Sequence, residues 1–288
     1  MIPDDFECCV DYHYHQNNSI GSARGGSMHS LSILAGTGMK DLFTNPLLKG
    51  SPYTFQKAQN AEVDTPYGSV PVTSLLLNDK DGSEHRLRFI HRHHGVVTTP
   101  PHNIDYRANI HAATSLDVNT VLTIHSVGSL VSGFPPGSLG MACDMMDFSG
   151  IVSTFHDDDA VHVDVSRHFS HPLGEVVRSI LQQAQPEVEV AQVVAQMTGP
   201  QFETRAEVEV LFRLGATAVG MTLSPEAKLL AELQIRQVAL LASSNWASGR
   251  NPAGPDAQIA HHRVEDEAER THGLIWDCIL ALLDAQIP

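Results

Sequence analysis

Short runs of Val, Ile and Leu, bounded by Gly, Pro, Asn or Asp, recur along this chain and alternate with stretches of helical periodicity. The runs predict strands over 31–35, 70–77, 87–92, 119–125, 191–197, 217–221 and 237–243. Helices are predicted over 104–116, 173–185, 204–214, 224–233 and 256–285. In the last of these Val264, Ala268, Ile275, Ile279 and Leu282 form the apolar stripe of a helix packed on one face. Strands alternating with helices bury their hydrophobic surface best as helices laid on a shared sheet. The expected fold is therefore α/β, a single domain with a central mixed β-sheet flanked by helices. The stretch 40–69, with Pro46, Pro52 and Pro66, reads as irregular connection.

Bulk properties narrow the function. A formal charge of -15 disfavours a nucleic-acid or acidic-membrane surface, because phosphate backbones reward Lys and Arg. A locally basic pocket for a small anion remains compatible with it. No apolar run reaches the roughly 20 residues that span a bilayer, so no membrane partner is expected. Cys8, Cys9, Cys143 and Cys278 show neither zinc spacing nor a dense disulfide framework, which suggests a cytoplasmic setting. Residues 1–27 lack sustained periodicity and read as an N-terminal appendage, a leader or disordered segment, before a domain over 28–288. The chain has 17 histidines, with His91, His93 and His94 closely spaced. A metal protein would show ligand spacing such as His-Glu-x-x-His, and none is present, so no metal site is expected.

Three predicted strand ends carry residues suited to an anion. Gly36-Thr37-Gly38 follows the first strand and could offer backbone amides and a hydroxyl, although such a turn alone is often only a turn. Arg92-His93 closes another run, pairing a guanidinium fork with a titratable donor, unless the pair is simply solvated. Ser126-Val127-Gly128-Ser129 follows a third run with small residues that let backbone approach a ligand. Sites in α/β sheets gather beyond the carboxyl ends of strands, which is where these three fall.

The C-terminal third is the most specific region. It reads Gly199-Pro200-Gln201-Phe202-Glu203-Thr204-Arg205-Ala206-Glu207, then Gly220-Met221-Thr222, Pro225-Glu226-Ala227 and Asn245-Trp246-Ala247. With Val63-Asp64-Thr65-Pro66-Tyr67-Gly68, Arg92-His93, Pro101-His102, Tyr106-Arg107-Ala108-Asn109-Ile110 and Pro136-Gly137-Ser138-Leu139, these stretches stand in a shared order and spacing. Over about residues 30 to 285 the chain resembles the purine nucleoside phosphorylase and methylthioadenosine phosphorylase family. It is most similar to the S-methyl-5′-thioinosine phosphorylase branch.

The resemblance implies phosphorolysis of a purine nucleoside, with inorganic phosphate as cosubstrate and no metal or organic cofactor. It implies that Thr37, Arg92, His93, Ser126 and Thr222 hold phosphate. Met221 would lie under the ribose and Phe202 against the base. His162 would reach the sugar of a neighbouring subunit, in a homotrimer. His93 and Asn245 would act in catalysis, Asn245 by meeting charge on the leaving purine. Where methylthioadenosine enzymes carry an Asp-x-Asp pair, this chain has Asn245-Trp246-Ala247, and Glu203 falls where 6-oxopurine enzymes hold the base. An amide that donates to O6 and a carboxylate that accepts from the ring N–H suit a 6-oxopurine such as hypoxanthine or guanine. A 6-aminopurine substrate, as in methylthioadenosine phosphorylase, is the alternative.

The chain departs from the family pattern in three places. The stretch His94-Gly95-Val96-Val97 lacks a second histidine, and His125 stands where small or hydroxylic residues are usual. His261 lies near the position of a 5′-hydroxyl partner, so the 5′ substituent stays open. A water-using nucleosidase, or a purine-nucleoside binding protein without catalysis, are the competing readings.

Overall fold

The computed structural model describes residues 29–36, 38–39, 42, 46–48, 50–95, 98–116, 118–254 and 271–285. Nine strands join one mixed sheet in these residues: β1 (Ser30–Ala35), β2 (Thr54–Thr65), β3 (Gly68–Asn78), β4 (Glu84–His91), β5 (Thr120–Ser129), β6 (Leu139–Asp147), β7 (Ala191–Gln196), β8 (Ala218–Gly220) and β9 (Arg236–Trp246). Five α-helices accompany them: α1 (Tyr106–Thr114), α2 (Pro172–Ala184), α3 (Arg205–Arg213), α4 (Leu223–Glu232) and α5 (His272–Ala285). The α/β reading and the flanking helices are as expected. The appendage 1–27 and the helical stretch 256–270, with Val264 and Ala268, lie outside the described residues.

Alternation along the central strands decides which helix covers which face. On β1, Leu31, Ile33 and Ala35 point to a core shared with α2 (Leu173, Val177, Leu181) and α5 (Ile275, Trp276, Ile279, Leu282, Leu283). Leu34 and Ile90 point to the opposite face, against α1 (Ile110, Ala113) and α4 (Leu229, Leu230). Burial on both faces explains why these strands read as continuous apolar runs. Local sequence stops and starts the helices. Asp105 caps α1 by accepting from the Ala108 amide, and Thr204 with Glu207 forms a reciprocal capping box at α3.

The strand order is β2-β3-β4-β1-β5-β8-β7-β6-β9, and β9 also pairs with β5. The last five strands thus close on themselves, and β5 belongs both to this ring and to the open half of the sheet. A bulge between Val127 and Gly128 lets β5 change partners: its tail pairs antiparallel with β8 while Gly128 still faces Asn245 of β9.

Two strands escape sequence reading. β2 occupies the stretch expected to be irregular, and nearly all of its 12 residues are exposed. With no buried face it carries no apolar alternation, and its pairing with β3 alone makes it a strand. β6, Leu-Gly-Met-Ala-Cys-Asp-Met-Met-Asp, is poor in β-branched residues. The expected turn at Ser126–Ser129 is also corrected, since those residues continue β5.

Candidate active site

Strand register assembles the site. β1 runs parallel to both β4 and β5, with Ala35 level with His91 on one side and Ile124 on the other. The next residue on each strand is then Gly36, Arg92 and His125, in one row across the sheet. The Arg92 amide extends the ladder by donating to the Ala35 carbonyl at 2.9 Å. A Cβ added at Gly36 would stand 2.7 Å from Arg92 Nη1 and 3.2 Å from His93 Nε2. Only glycine lets the turn lie this close to both side chains.

Arg92 is not the solvated fork its sequence context allows. It is 2% exposed, and its Nε and Nη2 donate to both carboxylate oxygens of Glu226 at 2.7 and 3.0 Å. Nη1 donates to the Ile124 carbonyl at 2.6 Å and Nη2 also to that of Leu34 at 3.3 Å. Among the described residues one Nη1–H is left over, on the side of Gly36. Glu226 stands in the Pro225-Glu226-Ala227 stretch, which by itself assigns it no role. The available signal was its place on the buried stripe of α4 with Leu223, Ala227 and Leu230. A carboxylate on such a stripe requires a buried cation.

His93 donates from Nδ1 to the Thr99 carbonyl at 2.8 Å, which turns Nε2 toward Gly36. His94 is drawn away, its Nε2 donating to Asn109 Oδ1 at 2.8 Å, while the Asn109 amide donates to the Arg92 carbonyl. His93 and His94 are thus each committed to protein groups. His125 is fully enclosed. Burial, then the nearby Arg92 and His93, hold its pKa well below the ordinary imidazole value, so the ring is neutral.

Thr222 stands just before α4 and is 8% exposed. Its hydroxyl does not cap the helix; it meets His125 Nδ1 at 2.8 Å. The amino end of α4 therefore opens next to Thr222, where the helix dipole favours an anion. Ser126, half-buried on β5, lies one residue beyond His125 in the same strand. Thr37 and Val97 lie outside the described residues, as do His261 and His262.

The second half of the site lies farther along the strands. Asn245 is half-buried near the end of β9, within the strand rather than after it. Its Nδ2 donates to the Trp246 carbonyl at 2.9 Å and its Oδ1 accepts from Ser244 Oγ at 3.0 Å. A Cβ at Gly128 would approach Asn245 Nδ2 to 3.2 Å, so this amide also depends on a glycine opposite. Glu203 is 8% exposed, and burial, then the Glu207 charge, pushes its carboxyl above the ordinary glutamate value. Ser248 donates to the Glu203 carbonyl, tying this loop to the segment that follows Asn245. Phe202 is exposed on the same loop. Met221 is half-buried; its sulfur approaches Gly199, and its carbonyl accepts from Tyr106 at 3.3 Å. His162 lies apart from these, exposed in an irregular segment that follows β6.

The arrangement offers a glycine-floored end with guanidinium and imidazole N–H groups, and a neutral-amide end with a raised carboxyl. The first suits a tetrahedral anion and the second a planar heterocycle. No helix among the described residues is long and apolar enough to cross a membrane.

Comparison with known proteins identifies the family. Residues 48–280 match the family described as the phosphorylase superfamily. The chain is 34% identical over 219 residues to a probable S-methyl-5′-thioinosine phosphorylase of Methanopyrus kandleri, covering 75% of this chain and 84% of that one. It is 34% identical over 238 residues to a probable 6-oxopurine nucleoside phosphorylase of Thermococcus kodakarensis, covering 78% and 82% respectively. The fold matches the methylthioadenosine phosphorylase of Schistosoma mansoni with a TM-score of 0.75 at 19% identity, over 89% of this chain and 91% of that one. The chain belongs to the phosphorylase superfamily and is an enzyme of its nucleoside phosphorylase type.

Proposed function

We propose that this enzyme uses inorganic phosphate to cleave a 6-oxopurine nucleoside, of the S-methyl-5′-thioinosine, inosine or guanosine type. The observation that carries this reading is the row formed by Gly36, Arg92 and His125, which sets Arg92 Nη1 and His93 Nε2 over a glycine floor beside Thr222. Phosphate seated there, with Thr37 and Ser126 completing its contacts, attacks the anomeric carbon. A C–O bond forms to phosphate as the C–N bond to the purine breaks, and the electron pair of that bond passes to the base. Asn245 stabilises the charge arriving on the purine, and Glu203 accepts from its ring N–H. Phe202 packs on the base and Met221 under the sugar.

A metal or organic cofactor has no step in this scheme. His162 serves the sugar of a neighbouring copy, in a trimer. Its exposure in the single chain supports that placement.

The test is phosphorolysis of methylthioinosine, inosine, methylthioadenosine and adenosine, with and without phosphate. Phosphate-dependent release of hypoxanthine is expected. Faster release of adenine would overturn the base assignment, and release of base without phosphate would overturn phosphorolysis. The 5′ group favoured in the same assay decides between methylthioinosine and inosine.

Glu203 adds a pH dependence. Its carboxylate form binds the base, and its pKa is raised by burial. Nucleoside affinity is therefore full above that raised pKa and falls as pH drops through it. The fall begins at a higher pH than an exposed glutamate would give. Glu203→Gln is expected to abolish this acid limb in kcat/KM while raising nucleoside KM about 10-fold or more. An unchanged acid limb would exclude Glu203 from the base site.

A further inference from the structure

Behind Thr222 runs a chain of buried hydrogen bonds that reaches across the sheet. His168 Nε2 lies 2.8 Å from Gln237 Oε1, and Gln237 Nε2 donates to Thr123 Oγ1 at 2.8 Å. Thr123 Oγ1 lies 2.9 Å from His125 Nε2, and His125 Nδ1 lies 2.8 Å from Thr222 Oγ1. Thr123, His125 and Gln237 are each at most 1% exposed, so no bulk water competes for these protons.

Proton counting fixes the direction. Gln237 gives an N–H to Thr123, so its carbonyl oxygen faces His168, which must donate. Among the described residues the Thr123 hydroxyl has no partner besides Gln237 and His125, so its own proton goes to His125 Nε2. A neutral imidazole that accepts at Nε2 carries its hydrogen at Nδ1, and that hydrogen goes to Thr222. Thr222 Oγ1 has no other partner among the described residues, so its own proton is turned outward, toward the proposed anion. With the opposite tautomer, His125 Nε2–H would face Thr123 and the Glu226 carboxylate 3.6 Å away. Nδ1 would then take the Thr222 proton, leaving only lone pairs toward phosphate.

We propose that His125 is a positioning residue whose tautomer, fixed by Thr123, Gln237 and His168, makes the Thr222 hydroxyl an obligatory donor to the phosphate. This rests on the phosphorolysis reading above. It also gives a purpose to the departure at position 125. An imidazole there orients a hydroxyl that a smaller residue would leave free to rotate.

Thr123→Val removes one hydroxyl from the chain at nearly constant volume and leaves both His125 and Thr222 in place. In the full-length enzyme it is expected to raise the KM for phosphate about tenfold, with nucleoside KM changed less than twofold. Thr123→Ser should restore the wild-type value. A purely packing role would move thermal stability and both KM values together, so an unaltered phosphate KM in a folded Thr123→Val enzyme overturns the proposal. A second reading needs no activity. In protein labelled with 15N at histidine, His125 is expected to show a protonated Nδ1 and an unprotonated Nε2, and the reverse assignment overturns the relay. If the wild type shows no phosphate-dependent turnover, the phosphorolysis reading fails first. Calorimetric titration with inorganic phosphate then decides this one: weaker binding by Thr123→Val supports it, and equal binding or none overturns it.

Discussion

Glu226→Leu is expected to destabilise the enzyme by about 3–5 kcal/mol, enough to consume much of the stability of an ordinary domain. The Arg92 side chain is 1% exposed and that of Glu226 is wholly buried, with two guanidinium–carboxylate hydrogen bonds between them. Removing the carboxylate leaves a cation among Leu34, Ile124 and Gly36 with two carbonyls among the described residues to satisfy it. The loss is mostly the cost of that stranded charge. The double variant Arg92→Met with Glu226→Leu should therefore be more stable than Glu226→Leu alone, because a buried ion pair replaced by apolar groups is often neutral. The double variant should also lose saturation by phosphate, whereas its stability recovers. Urea unfolding of the four proteins in the cycle measures the first effect, and phosphate titration of activity measures the second. Equal stability of Glu226→Leu and wild type would mean that the pair is not buried as described.

Asn245→Asp is the second substitution with a large expected effect, here on specificity. The side-chain nitrogen of Asn245 faces the Trp246 carbonyl, and its oxygen accepts from Ser244. A carboxylate placed in the same rotamer would set one oxygen against that carbonyl, which has no proton to give. Protonation resolves the conflict: the carboxyl O–H donates to Trp246, and the other oxygen is left to accept from a 6-amino group. The ratio of kcat/KM for inosine over adenosine is expected to fall about 100-fold, since a polar site left mismatched rejects its substrate strongly. Comparing the two nucleosides in wild type and variant reads this directly. A ratio that does not move would remove Asn245 from base recognition, whatever its effect on rate.

These two sites differ in how openly the sequence announces them. Arg92-His93 and Asn245 stand at strand ends beside small residues, and their motifs carry the family resemblance. Their general placement was therefore legible. Glu226 was not, because an acidic residue in the first turn of a helix has an ordinary explanation in the helix dipole. Only its position on the apolar stripe of α4 distinguishes it, and the partner it implies lies 134 residues away. Thr123, His125 and Gln237 interrupt apolar strands at single positions, and nothing local says that three polar residues from two strands will meet. The strand pattern itself follows the same logic. Strands covered on both faces were found, whereas β2, exposed on nearly every residue, left no periodicity to read.

The closed half of the sheet has a mechanical consequence. β5 carries His125 at the end proposed to take phosphate, and beyond its bulge Gly128 backs the amide of Asn245. Because β5 is hydrogen-bonded to β1, β8 and β9 at once, neither end can swing without shearing a ladder on the other. The spacing between the two ends is thus held like the gap of a caliper whose jaws are cut from one bar. A ligand of the wrong length would be refused by the frame, and side chains at one end could change while the other end stayed untouched.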